Sequence, residues 1–268
     1  MEIDRDYLRA EQYRDAGNLS RRIALHDSFS TNAYGWHRWV FDHLCLGDSA
    51  AVLEVGCGRA DLWTRNRDRV PATWTTVLTD FSGGMVAAAR AALGGAPWAL
   101  RLGAADAVDL PFAAASFDAA VANHMLYHVS DGDRPRALAE VRRVLRPRGR
   151  LLSATNGPAH LRELRALVRC FDPEYRGSIV SAEATGFGLD NGAAQLAPHF
   201  PRLTVHRHDD GLAIDDPEAL ASWGLSWGPA TYPPARLAAL LEHLRAACRQ
   251  AGVLRVSKES GLFVAEKG

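Results

Sequence analysis

The sequence predicts an α/β protein built around a mostly parallel sheet, and three observations support this fold class. Residues 50–156 alternate short apolar runs with helical patterns at the spacing of βαβ units. The first apolar run, at 51–55, leads directly into a glycine turn and a helix start. The segments on either side of 50–156 are mainly helical in pattern, which predicts helices packed around the sheet.

The N-terminal segment places apolar and aromatic residues at helical spacing. Two of its aromatic residues, Tyr34 and Trp36, lie in the connection 28–37, which is rich in hydrogen-bonding groups. This position fits the lining of a substrate pocket and equally fits packing between helices. We therefore predict that residues 1–46 form a helical lid and that residues 47–268 form the core domain.

Strand and helix patterns then follow one another in a regular order. Strands are expected near 51–55, 74–79, 98–102, 117–122 and 150–155, and helices near 61–68, 83–93 and 133–145. Gly149 is expected to end the last of these helices, with Pro147 helping to stop it.

After residue 156 the rhythm changes, and the connections become longer than a standard α/β core needs. Helices are expected over Pro158–Cys170, Pro217–Trp227 and Pro234–Ala251, and strands near 202–208 and 254–265. In an open α/β sheet, ligands bind outside the carboxyl ends of the parallel strands. We therefore expect two helical insertions, at about 157–198 and 215–252, to cover a substrate pocket at that edge.

Composition and charge exclude several classes of function. The chain has 31 Lys plus Arg and 31 Asp plus Glu, so no net positive field attracts nucleic acid. Its 4 cysteines include no Cys-x-x-Cys pair, which favours reduced thiols over disulfides or a zinc cluster. The charged N-terminus leads into no apolar run of signal or membrane-spanning length. We expect a cytoplasmic protein with a small-molecule substrate, no metal, no nucleic acid and no membrane contact; the oligomeric state stays open.

The glycine turn is the most informative motif of the chain. Gly56 and Gly58 have no Cβ, so the main chain can take left-handed angles there and lie against a ligand. Unpaired N–H groups of the following helix then face that ligand. Asp80 ends the next strand, where a carboxylate would accept hydrogen bonds from a ribose diol. This combination predicts a nucleotide-type cofactor, and the chain lacks the phosphate-loop motif of ATP or GTP hydrolases.

Further motifs sharpen this prediction. The chain contains, in order, Glu54-x-Gly56-x-Gly58, the block 103–112 (GAADAVDLPF), the block 116–124 (SFDAAVANH) and the block 145–151 (LRPRGRL). Over about residues 50–156 the chain resembles the class I S-adenosylmethionine-dependent methyltransferases. Ala60 departs from the usual third glycine, and a small shift of the helix would absorb its methyl group.

The resemblance implies a Rossmann-like, seven-stranded, mostly parallel sheet whose last strand is antiparallel. It also implies S-adenosyl-L-methionine as the cofactor and S-adenosyl-L-homocysteine as the product. Carried over by position, the residues that would surround the methionine half of the cofactor are Glu54, Gly56, Cys57 and Gly58. Asn123 would lie beside the transferred methyl group.

The same resemblance assigns residues to the nucleoside half of the cofactor. Asp80 would hold the ribose hydroxyls, and Phe81 and Met85 would flank the adenine. Asp106 would accept a hydrogen bond from the adenine amino group, and the Ala107 N–H would meet a ring nitrogen.

Methyl transfer from a sulfonium is an in-line displacement, so the protein mainly supplies alignment, and a general base is optional. His128 is the first candidate base and His124 the second, because both follow the fourth strand beside the expected methyl group. Packing or hydrogen bonding under the lid is the alternative role for both. A metal site is disfavoured because no third ligand is evident.

The remaining substrate-pocket candidates are Tyr34, Trp36, Tyr127, Asn156, Trp223 and Trp227. Trp223 and Trp227 fit either an aromatic wall of the pocket or the apolar core of the lid itself. The leading interpretation is methyl transfer to an oxygen, nitrogen or carbon nucleophile of a small molecule, such as a specialised metabolite. The alternatives are an RNA or protein methyltransferase and a non-catalytic cofactor-binding relative.

Overall fold

A computed structural model describes residues 17–174, 186–226 and 232–268. Within these residues one sheet holds seven strands: β1 (Ala51–Val55), β2 (Thr75–Asp80), β3 (Ala99–Ala104), β4 (Phe117–Asn123), β5 (Leu145–Asn156), β6 (Arg202–Ile214) and β7 (Leu254–Glu266). Their spatial order is β3-β2-β1-β4-β5-β7-β6. Neighbours from β3 to β5 are parallel, and β7 is antiparallel to both β5 and β6. The predicted mostly parallel sheet with an antiparallel last strand is confirmed.

Helices surround this sheet. In the described part of the chain they are α1 (Gly17–Phe29), α2 (Trp36–Asp42), α3 (Asp61–Thr64), α4 (Gly83–Ala92), α5 (Arg134–Val144), α6 (Arg162–Phe171), α7 (Gly192–Leu196), α8 (Pro217–Gly224) and α9 (Pro234–Ala251). Among these helices none is long and apolar enough to cross a bilayer.

The central strands of the sheet are buried on both faces. Successive strand residues point to opposite sides, so Leu53 packs with Val141 on one face and Val52 packs with Trp63 on the other. This double burial is the usual condition of a parallel sheet. A third apolar cluster joins α1, α6, α8 and α9 to the ends of β6 and β7. We call these four helices the cover.

One predicted helix boundary is wrong and a second is confirmed to within one residue, and local chemistry explains both ends. The helix expected over 61–68 ends at Thr64, because the side-chain amide of Asn66 donates to the Leu62 carbonyl at 2.7 Å, in place of the next helical N–H. The helix expected over 133–145 ends at Val144. Residues that precede a proline disfavour the helical region, so Arg146, before Pro147, is extended.

Gly149 therefore lies inside β5 and does not end a helix. A Cβ at this position would stand 2.8 Å from the Arg146 carbonyl oxygen and 3.2 Å from the Asp118 carbonyl oxygen. The preceding residue, Arg148, has a φ of 63°. Glycine is needed here because the chain folds back closely on itself. β5 begins at Leu145 because Leu145 already pairs with Phe117, before an irregularity in the register that leads to the pairing of Ala119 with Arg150.

The connection between α1 and α2 is fastened to β6, the edge strand of the sheet. Ser30 forms a bridge with Leu212, and its hydroxyl donates to the carboxylate of Asp210 at 2.7–2.8 Å. Asp210 is also paired with Lys258 of β7, and both side chains are buried. We call this set of contacts the clasp; it fixes α1 and α2 over the carboxyl end of the sheet.

Candidate functional site

The glycine turn follows β1, and every second residue of the turn has a left-handed backbone conformation. Gly56 has a φ of 72° and Gly58 a φ of 54°. Ala60, which begins α3, has a φ of 63°, where a residue with a Cβ is strained by about 1–2 kcal/mol. From the sequence we expect a small shift of the helix to absorb the methyl group of Ala60. The structure instead shows that Ala60 keeps the left-handed angle of a glycine, and such strain concentrates at functional sites.

Gly56 is required by close packing as well as by its backbone angle. A Cβ there would lie 2.7 Å from Cβ of Met125, in the segment that follows β4. The glycine turn and the segment after β4 thus touch at the carboxyl end of the sheet. The two predicted halves of the site, cofactor and methyl acceptor, meet at this contact.

Asp80, at the end of β2, organises the turn. One carboxylate oxygen accepts from the Gly58 N–H at 2.9 Å, and the other accepts from the Ser82 N–H at 2.8 Å. Burial raises the pKa of Asp80, and these two hydrogen bonds act in the opposite direction. Each oxygen keeps a second lone pair for a ligand hydroxyl. Phe81 follows with 40% of its surface exposed at the same edge.

Three predicted cofactor residues are buried below this surface. Glu54 is 2% exposed and accepts a hydrogen bond from the Trp63 indole N–H at 2.6 Å. Burial raises the pKa of Glu54 to about 8. Cys57 is buried, which raises the pKa of its thiol and disfavours a nucleophilic thiolate. Met85 is 1% exposed, in the first turn of α4. In this structure these side chains support the turn from within the core.

The segment after β3 lies beside Asp80. The Ala105 N–H donates to the Asp80 carbonyl oxygen at 3.1 Å. Asp106 then forms a tight turn, in which its carboxylate accepts from the Val108 N–H at 3.2 Å. Ala107 is buried inside this turn. Asp106 and Ala107 are thus on the same edge as the glycine turn.

Asn123 ends β4 and meets the N-terminal helices. Its side-chain oxygen accepts from the Trp36 indole N–H at 3.2 Å. The Trp36 ring centroid lies 5.0 Å from that of His124. The structure therefore brings Trp36 onto the predicted methyl-transfer position. It does not bring Tyr34 there: this side chain is 48% exposed and donates to Asp42 at 2.7 Å.

The two candidate bases lie on either side of Tyr127. The Tyr127 ring centroid is 6.2 Å from that of His124 and 4.5 Å from that of His128. Burial lowers the pKa of His124 to about 3 and that of His128 to about 4. Both imidazoles are therefore neutral near pH 7, and the same burial disfavours their protonated forms.

Sequence reasoning missed several polar residues that surround this place. The His26 ring of α1 stacks on the His160 ring, with centroids 6.0 Å apart. The His160 imidazole lies 3.4 Å from the Ser260 hydroxyl, which donates to Asn156 at 2.8 Å. Asn156, at the end of β5, was predicted. The others come from remote segments with no shared motif, so no sequence signal marked them.

The remaining candidates for the substrate pocket are Trp223 and Trp227. Trp223 is 1% exposed and packs in the apolar cluster with Leu220, Leu240 and Leu244, so it belongs to the core of the cover and not to an exposed wall. Trp227 lies outside the described residues. Across 17–174, 186–226 and 232–268, no group of three or more His, Cys, Asp and Glu is arranged to hold a metal ion.

Comparisons with known proteins agree with this geometry. A family profile described as "Methyltransferase domain" matches residues 52–149. The ubiquinone/menaquinone biosynthesis C-methyltransferase UbiE of Paracoccus denitrificans is 36% identical over 141 residues, which cover 50% of this chain and 53% of that protein. The 2-phytyl-1,4-naphtoquinone methyltransferase of Nostoc punctiforme is 31% identical over 186 residues, which cover 67% of this chain and 78% of that protein.

The match to the Paracoccus relative spans about half the length of that protein. Among solved structures, phosphoethanolamine N-methyltransferase 2 of Haemonchus contortus, in complex with S-adenosyl-L-methionine, has a TM-score of 0.60. It is 16% identical, with 100% of this chain and 60% of that chain covered, and this likeness shows the fold.

The strand order, the left-handed glycine turn after β1 and the acid after β2 define an α/β protein with a nucleotide-type cofactor site at the carboxyl ends of its strands. The similarity to the Nostoc enzyme covers 78% of that protein and identifies the family. The chain belongs to the class I S-adenosylmethionine-dependent methyltransferases.

Proposed function

We propose that this chain transfers the methyl group of S-adenosyl-L-methionine to an oxygen, nitrogen or carbon nucleophile of a small organic molecule. The observation that carries the proposal is the meeting of Trp36, Asn123 and His124 directly beside the glycine turn. The names of the Paracoccus and Nostoc relatives refer to quinone biosynthesis and to a naphthoquinone. A flat, ring-bearing acceptor fits the Trp36 and Tyr127 rings at this place.

The cofactor edge fits the proposed ligand. Gly56 and Gly58 provide bare backbone for the methionine half, and Asp80 has lone pairs for two ribose hydroxyls. Phe81 offers an exposed ring for the adenine, beside Asp106 and the Ala107 N–H. When bound, the cofactor supplies an electrophilic methyl group on a positively charged sulfur.

Glu54, Cys57 and Met85 act within the proposal from beneath the bound cofactor. All three are buried, and Glu54 is held by the indole of Trp63. They fix the shape of the turn on which the cofactor would lie, whereas Asn123 would mark the methyl end.

Residues 1–46 and the insertions near 157–198 and 215–252 serve as the lid in this proposal. The clasp holds α1 and α2 against the sheet edge, and Leu25 of α1 packs with Leu164 of α6 and Leu240 of α9. This arrangement excludes water from the acceptor and orients it. Positioning of this kind can contribute about 7–11 kcal/mol to a displacement reaction.

We assign proton removal from the acceptor to His128, with His124 as the second candidate. Burial keeps both rings neutral, since their pKa values are lowered to about 4 and about 3. In either case the proton moves from the acceptor to a ring nitrogen of the histidine while the nucleophile attacks the methyl carbon. A base of this kind typically contributes about 100- to 10,000-fold in rate.

The first test is calorimetry of the purified protein with S-adenosyl-L-methionine, S-adenosyl-L-homocysteine and, as a control, NAD. We expect S-adenosyl-L-methionine and S-adenosyl-L-homocysteine to bind and NAD not to bind. If neither of the two sulfur compounds binds, the proposal is overturned. Methyl transfer is then measured as S-adenosyl-L-homocysteine release with a panel of hydroxyquinones, phenols and amines.

The role of His128 is tested on the best acceptor from that panel. His128→Ala is expected to lower turnover by about 100-fold or more while leaving S-adenosyl-L-homocysteine affinity unchanged. His199→Ala is the matched control, because His199 is partly buried near α7, away from the site. If His128→Ala keeps wild-type turnover, His128 is not the general base. His124, the second candidate, is then tested by the same substitution.

A further inference from the structure

Arg22 of α1 is a partly buried cation without an acidic partner among the described residues. One guanidinium nitrogen donates to the Ser226 carbonyl oxygen at 3.2 Å. Its Nε atom is buried and makes no hydrogen bond. No carboxylate of the described residues forms an ion pair with it, although most other partly buried arginines of the chain have one. An unpaired buried charge is costly, so a missing anionic partner is the physical expectation.

Two further buried polar atoms without partners lie beside Arg22. Nδ1 of His26 makes no hydrogen bond, and His26 is four residues after Arg22, on the same face of α1. The hydroxyl of Ser226 is also without a partner, and the carbonyl of this same residue contacts Arg22. Buried polar groups are nearly always satisfied, so three exceptions at one place point to an absent ligand.

This group borders the proposed acceptor site. His26 stacks on His160, which neighbours Ser260 and Asn156 at the end of β5. The positive charge of Arg22 is close enough to lower the pKa of His128. Arg22 therefore stands within the electrostatic range of the first candidate base.

The balance of charge at this place favours an anion. Two other buried cations of the described residues lie nearby: Asp210 neutralises Lys258 within the clasp, and Arg165 donates to the carbonyl oxygens of Pro158 and His160. Burial keeps His26 neutral, with a pKa lowered to about 3. The guanidinium of Arg22 is thus a positive charge without a carboxylate partner among the described residues; the Ser226 carbonyl contacts it, and His26 follows one turn later on α1.

We propose that Arg22, with His26 and Ser226, binds an anionic group of the methyl acceptor, a carboxylate or a phosphate. This inference rests on the proposed function and narrows its substrate class to acidic small molecules. The acceptor would lie with its anionic end against α1 and its nucleophile toward Asn123 and His128. A planar guanidinium suits both oxyanions, since it can offer two parallel N–H donors.

The test measures binding of three probes to the full chain saturated with S-adenosyl-L-homocysteine. The probes are benzoate, phenyl phosphate and the neutral isostere benzamide, each titrated by calorimetry. We expect benzoate or phenyl phosphate to bind about tenfold or more tightly than benzamide, and the better of the two identifies the oxyanion. Arg22→Gln should remove this preference, and Arg22→Lys should restore part of it. Arg21→Gln is the matched control, because Arg21 is the exposed neighbour on the same helix.

Equal binding of the three probes by the wild-type protein would overturn the inference, and so would an unchanged preference in Arg22→Gln. The wild-type comparison decides even if Arg22→Gln fails to fold, which its S-adenosyl-L-homocysteine affinity reports. Failure of the wild-type protein to bind S-adenosyl-L-homocysteine would instead count against the proposed function itself. The two failures are therefore distinguishable in one set of titrations.

Discussion

The proposed cofactor edge and the proposed acceptor site touch each other, yet they are built in different ways. The cofactor edge consists of three short contiguous segments, 54–60, 80–82 and 105–108, and most of its hydrogen bonds involve backbone groups. The acceptor site draws side chains from α1, the segment after β4, the end of β5 and β7. Backbone-built sites carry a sequence motif, whereas a site assembled from remote side chains does not.

The largest expected effect is at the contact that joins the two regions. Gly56→Ala places a Cβ at a φ of 72° and at 2.7 Å from Cβ of Met125. Backbone strain and overpacking together should destabilise the fold by about 3 kcal/mol and abolish S-adenosyl-L-homocysteine binding. Denaturant titration and calorimetry measure the two effects. Gly83→Ala is the control, since open space surrounds that position; equal behaviour of the two variants would show that Gly56 carries no special constraint.

The next effect is confined to the cofactor edge. Asp80→Ala removes the carboxylate that fixes Gly58 and Ser82 and is expected to bind the ribose. We expect S-adenosyl-L-homocysteine affinity to fall by about 2 kcal/mol, the range of hydrogen bonds to a charged group. Calorimetry against Asp48→Ala, an exposed acid outside this edge, makes the comparison. Unchanged affinity would remove Asp80 from the binding site.

Glu54 predicts a pH dependence that belongs to the cofactor edge alone. Its pKa is raised in the folded state from 4.5 to about 8, so the unfolded chain releases this proton first and stability falls as pH rises through that window. Between about pH 6 and pH 8 the wild-type protein should lose about 2 kcal/mol more than Glu54→Gln. Urea unfolding at both pH values measures the difference. Parallel losses in the two proteins would contradict the raised pKa.

The smallest effect concerns the link between the regions. Trp36→Phe keeps an aromatic ring but removes the indole N–H that donates to Asn123 at 3.2 Å. A single neutral hydrogen bond contributes about 0.5–1.5 kcal/mol, so we expect a several-fold rise in KM for the acceptor with little change in cofactor affinity. Steady-state kinetics separates the two constants. An effect mainly on cofactor affinity would move Trp36 from the acceptor side to the cofactor side.

The comparison also explains what the sequence predicted. The alternation of strands in 50–156 and the motif residues Gly56 and Asp80 are local patterns, and each fell at its predicted place. The end of α3 was not predictable from periodicity, because it depends on a side-chain hydrogen bond of Asn66. Gly149 was misinterpreted because its constraint is a close approach of the backbone, to Arg146 of the same segment and to Asp118 of a neighbouring strand, instead of the end of a helix.

The same distinction holds for the acceptor site. Trp223 and Trp36 look alike in sequence, as aromatic residues at helical spacing. Burial separates them, since Trp223 is enclosed by three leucines of the cover and Trp36 reaches Asn123. The relation of Arg22 to His26 and Ser226 depends on how α1 packs on the C-terminal helices, which no local pattern encodes.

The clasp has a consequence for how copies of this protein meet one another. β6 pairs with β7 on one side only, and an edge strand of this length is a template onto which a strand of another molecule can add. The bridge of Ser30 to Leu212 occupies part of that edge, and charged residues such as Arg202 and Arg207 line the rest. The segment that fastens α1 and α2 to the sheet thus also covers part of an edge at which another strand could add.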